Sequence, residues 1–73
     1  GVQLQAQNII ISTQNTGNQE FRLVVTDANG RLIKRTEMQQ NASVSLAGRA
    51  RGIYFVNIYN QENKLVHSQK VVN

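Results

Sequence analysis

Few side chains in this sequence can do acid–base or nucleophilic chemistry. The acids are Glu20, Asp27, Glu37 and Glu62, and His67 is the one imidazole. Asp27 opens the stretch "DANG", where a short carboxylate bonding its own backbone is ordinary turn chemistry. The three glutamates fall at strand ends or in a turn, where solvated charge is expected. His67 stands beside Ser68, but neighbours on a strand point to opposite faces. A serine nucleophile and its base must meet within hydrogen-bond reach, and adjacency on a strand keeps them apart. The chain has no cysteine, so thiolate chemistry and disulfides are excluded, and a lone histidine makes a poor metal site. The residue types therefore point away from catalysis, metal and cofactor. "NAS" at Asn41–Ser43 matches a glycosylation sequon, but an asparagine leading into a strand reads first as a turn residue.

The elements that carry these residues read as β. Proline is absent, and no stretch sustains a helical period. "QNIIISTQ" is a β-branched run closed by the turn-rich "NTGN". In "EFRLVVTD", Phe21, Leu23 and Val25 alternate against polar neighbours and face a core. "DANG" turns the chain into "RLIKRTE", with Gly30 able to take a positive φ. "ASVSLA" directs Val44 and Leu46 inward. "GIYFVNIY" and "KLVHSQKVV" form a second hairpin across "NQEN". Tyr54, Val56 and Ile58 share one face of that strand, Ile53, Phe55 and Tyr59 the other. Such two-sided apolarity marks a strand that is central or covered on both sides. No internal repeat stands out. The fold class that follows is all-β: a small Ig-like antiparallel sandwich of six to seven strands without helices.

At 73 residues the chain makes one domain. Its net charge of +4 comes from eight scattered Lys and Arg against four acids. No block of like charge forms, so the balance reads as solubilising rather than as a nucleic-acid footprint. "RGIYFVNI" resembles the RNP1 strand of an RNA-recognition motif at Arg51, Gly52, Phe55 and Val56. Ile53 and Ile58 stand where stacking rings are needed, and the two helices of that fold are missing, so no nucleic-acid partner is expected. No stretch reaches the roughly 20 apolar residues that span a bilayer, and no signal peptide opens the sequence. Either the protein is cytosolic, or the chain is a piece of a longer precursor.

A second resemblance covers nearly the whole chain, from about Asn8 to Asn73. Asp27, Gly30 and Arg31 match a D-x-x-G-[KR] hairpin turn. Gly52, Ile53, Tyr54 and Val56 match a G-[IV]-Y-x-V strand, and Lys70, Val71 and Val72 a closing K-[VIL]-[VIL] tail. In that order the three resemble the C-terminal sorting domain, type A, of the type IX secretion system. The family's usual Asn-Pro element and basic last residue are absent here, where Asn73 is last.

The resemblance implies a non-enzymatic address tag. It sits behind a cargo domain in cis, reaches the periplasm by the general secretory route, and is recognised by outer-membrane translocon components. A sortase-like cysteine peptidase then removes it at the cell surface. The residues implied in recognition are Gly52, Tyr54, Val56, Lys70, Val71, Val72 and Asn73, with Asp27, Gly30 and Arg31 forming the turn motif. Built into a final strand, the tail is held extended, and an edge position would expose its backbone to a receptor strand. Val71 and Val72 point to opposite faces, so only one of them enters a core. A strand-swapped homodimer is a further expectation for the isolated domain. The alternative is a generic Ig-like accessory or carbohydrate-binding module of a surface protein.

Overall fold

The alternating runs of the sequence become strands in the computed structural model, which describes residues 1–13 and 19–73. The turn expected at "NTGN" lies outside the described residues. Seven strands run in chain order: β1 Val2–Gln5, β2 Asn8–Ser12, β3 Phe21–Asp27, β4 Leu32–Met38, β5 Asn41–Ser45, β6 Ile53–Tyr59 and β7 Leu65–Val72. They form two antiparallel sheets, β1-β2-β5 and β4-β3-β6-β7, with no helix among the described residues. In immunoglobulin letters this is ABE packed on C′CFG, the sandwich expected from the alternation.

The core lies between the sheets. The smaller sheet contributes Val2, Ile9, Ile11 and Val44, and the larger Leu23, Val25, Met38, Tyr54, Val56, Ile58 and Val71. Leu46, just past β5, is fully buried and plugs the end where the chain crosses between sheets. Phe21 is the exception on β3. As the first residue of the strand it reaches only the rim and stays half-buried, while Leu23 and Val25 are fully enclosed. β6 is central, between β3 and β7, but its outer face meets solvent. Two-sided apolarity here therefore marks a central strand that is covered on one side.

Two hairpins build the larger sheet, and they share one loop design. In the first, Asp27 N–H donates to Arg31 O and Gly30 N–H to Asp27 O, each at 3.0 Å. Asp27 Oδ1 accepts from the amides of Asn29 (2.9 Å) and Arg31 (2.8 Å), and Gly30 takes φ 82°. In the second, Asn60 N–H donates to Lys64 O (2.9 Å) and Asn63 N–H to Asn60 O (3.0 Å). Asn60 Oδ1 accepts from the amides of Glu62 (2.9 Å) and Lys64 (3.0 Å), and Asn63 takes φ 66°. Asparagine thus replaces both aspartate and glycine, the residues that tolerate these roles. The pairing register slips once beside each loop, leaving Ile33 and Val66 unpaired as bulged residues.

The first strand, β1, joins β2 through Ala6 and Gln7, both at positive φ (49° and 66°). That is the primed two-residue turn that suits the twist of a hairpin. Between β5 and β6, Gly48 (φ 78°) and Gly52 (φ 143°) adopt backbone conformations that L side chains rarely take. Tyr54 then enters β6 with its ring in the core and its hydroxyl donating to Ala50 O at 2.7 Å. A tyrosine at the start of strand F that bonds back to the preceding corner is the tyrosine corner of immunoglobulin-like sandwiches.

Candidate functional site

The site is built on β7 and on what β6 places beside it. The ladder continues one pair past β7: Gly52 N–H donates to Asn73 O (3.2 Å) and Asn73 N–H to Gly52 O (2.8 Å). Antiparallel pairs alternate between bonded and non-bonded. Tyr54 opposite Val71 and Val56 opposite Gln69 are therefore bonded pairs, whose side chains face inward. Ile53 opposite Val72, Phe55 opposite Lys70 and Asn57 opposite Ser68 are non-bonded pairs on the outer face, the arrangement in which side chains approach most closely.

The two valines divide as alternation requires. Val71 is 6% exposed and belongs to the core, whereas Val72 is 61% exposed. Around Val72 the outer face is apolar, with Ile53 at 38% and Phe55 at 37% exposure, and Lys70 beside the ring by register. Further along, Ser68 Oγ donates to Asn57 Oδ1 at 2.7 Å. His67 lies on the opposite face from Ser68, with its Nε2 3.2 Å from Gln69 Oε1. Among the described residues no three His, Asp or Glu side chains gather as metal ligands would.

The turn residues meet the same corner. Asp27 is in register with Tyr54, so the loop Asp27–Arg31 closes the end of the sheet at which β6 begins. Arg31 Nε approaches Asp27 Oδ2 at 3.7 Å, largely in solvent, a pair worth little by itself. Asn73 is tied in too: its Nδ2 donates to Ala50 O (3.3 Å), the carbonyl that also accepts from Tyr54. Its Oδ1 is buried without a partner among the described residues.

The structure thus sorts the residues that resemblance singled out. Gly52 supplies a backbone conformation, and Tyr54, Val56 and Val71 lie in the core. Lys70 and Val72 are exposed, Asn73 is half-buried, and all three sit at the rim. Ile53 and Phe55 belong beside Val72, a role their apolar character concealed. The signal lay in their partners, since a β7 face carrying Ser68 and Lys70 is no core face.

The site is thus the edge strand of an immunoglobulin-like sandwich, with exposed apolar side chains on its outer face. A family model described as "Secretion system C-terminal sorting domain" matches residues 5–73. The chain belongs to this family, the C-terminal sorting domains of the type IX secretion system. Such a signal directs its protein to the cell surface or the extracellular space, and the family is one of signals rather than enzymes. No curated protein and no solved structure matches the chain significantly.

Proposed function

We propose that this chain is the non-enzymatic address tag of a larger precursor, read by the outer-membrane translocon at the corner formed by Lys70, Val72 and Asn73. Gly52, Tyr54, Val56 and Val71 hold that corner in shape from within. Asp27, Gly30 and Arg31 fix the loop beside it. A cargo domain precedes the tag in cis and crosses the inner membrane with it. A sortase-like cysteine peptidase separates the two at the surface. The observation that carries this reading is the division of the tail: Val71 is in the core, and Val72 stands 61% exposed between Ile53 and solvent.

The test is a reporter fused ahead of the chain in a host that has the secretion system. Val72→Asp leaves the core intact and is expected to melt near the parent, since exposed substitutions shift stability by about 0.5 kcal/mol or less. Surface delivery of the reporter should nevertheless fall. Parental delivery by a folded Val72→Asp fusion would remove Val72 from the recognised corner. Deleting Lys70 to Asn73 is the poorer experiment. It also strips Val71 from the core and breaks both Gly52–Asn73 bonds, a loss of about 3–5 kcal/mol.

A further inference from the structure

The sheet edges of this sandwich are unequally defended. β1 and β5, the edges of the smaller sheet, have four and five residues. β4, one edge of the larger sheet, has seven, of which Lys34, Arg35 and Glu37 are charged. β7, the other edge, has eight, and Lys70 is its only Lys, Arg, Asp or Glu. Charges and short length keep foreign strands off an edge, so β7 is the edge most open to one.

The ladder identifies the groups on offer. Val71 and Gln69 spend their backbone groups on β6, so those of Val72, Lys70 and Ser68 turn outward. β7 has no second strand neighbour among the described residues, and no backbone group of their turns and loops bonds to them. The side chains of the same three residues lie on the outer face beside Ile53, Phe55 and Asn57. Charge then selects the occupant. Neither β6 nor β7 contains a carboxylate, and Arg49 and Arg51 lie in the loop that enters this corner. The one acidic side chain nearby by register, Asp27, is engaged by the amides of Asn29 and Arg31. A second copy of β7 would bring no acidic side chain to Lys70.

Resting on the sorting reading above, we propose that β7 is completed by an extended segment of a receptor protein, added as a fifth strand. Its backbone bonds Ser68, Lys70 and Val72, and it places a carboxylate opposite Lys70 and an apolar side chain opposite Val72. Strand addition draws affinity from main-chain bonds and specificity from alternate side chains.

Because the Ser68 amide points away from β6, proline is compatible with the fold there while it removes a donor that the added strand needs. Ser68→Ala controls for the lost Ser68–Asn57 bond. In the reporter fusion, Ser68→Pro should melt close to Ser68→Ala and lower surface delivery about tenfold, as losing one main-chain bond and obstructing its neighbours would. Lys70→Glu should lower delivery about fivefold, the span of a cross-strand charge pair. Arg35→Glu, the same change of charge on β4, should leave delivery at the parental level. Unfolding of Ser68→Pro alone would show that its amide is not free and overturn the proposal. So would parental delivery by a folded Ser68→Pro, while parental delivery by Lys70→Glu would remove the carboxylate. In each case the unaltered fusion still reaches the surface and the address-tag reading stands, with Lys70 withdrawn from the recognised corner in the last. Failure of the unaltered fusion itself would remove both.

Discussion

Tyr54 belongs to the run that matches the family, yet its hydroxyl ends on Ala50 O and its ring lies in the core. A motif residue here belongs to the frame, its ring and hydroxyl both spent inside the domain. The same division between frame and surface governs β3. Leu23 is fully buried and Phe21, two residues earlier, is not. At roughly 0.05–0.15 kcal/mol per residue a chain of this size is worth about 4–11 kcal/mol. Leu23→Ala is expected to cost about 2–5 kcal/mol, a large share of that total that still leaves a transition to measure. Phe21→Ala, although the larger truncation, should cost about half of a fully buried phenylalanine, near 2 kcal/mol. Urea denaturation of both variants checks the order, and a reversed order would place Phe21 in the core. Alternation made the inward face of β3 legible; it could not report that Phe21 is the strand's first residue and lies at the rim.

Among the elements, the hairpin at Asp27 was legible because its turn carries aspartate, asparagine and glycine at the positions that need them. β1 was not. Its turn consists of Ala6 and Gln7, which hold positive φ without any of the residues that favour it. That hairpin is sustained by tertiary packing of Val2 opposite Ile11 and Leu4 opposite Ile9. The left-handed conformation costs an ordinary residue roughly 1–2 kcal/mol. Replacing the pair by Asn-Gly should therefore stabilise the protein by about 1–2 kcal/mol, a rise of about 4–8 °C per kcal/mol for a domain of this size. A thermal melt reads it directly, and an unchanged midpoint would show that the turn carries no strain. The equivalence of the two larger hairpins escaped notice for a related reason. Asp27 and Asn60, like Gly30 and Asn63, share geometry but not identity.

In the molecule as a whole, Glu20, Glu37 and Glu62 gather where β3 begins and the β6–β7 loop turns, while Arg31, Arg49, Arg51 and Lys70 lie toward the opposite end. Four of the eight scattered cations thus come to share one end once the strands are paired, while Arg22 and Lys64 lie among the glutamates at the other. Sequence patterning gave no warning that the outer face of β6 would be open, because that depends on how many layers the molecule has. The paired hairpins also set an order of events. Each closes over a short loop, which takes on the order of 1–10 μs, but they meet only along β3 and β6, where Arg22 finds Tyr59 and Asp27 finds Tyr54 across a long stretch of chain. Distant pairing of this kind limits folding rates. The seam between the hairpins should be the slow step, with the outermost strand joining after it. In stopped-flow refolding, Leu23→Ala is expected to slow folding. Val71→Ala should chiefly speed unfolding, the signature of a residue whose contacts form after the transition state. Equal effects on both rates for the two variants would mean that β7 and the seam assemble together.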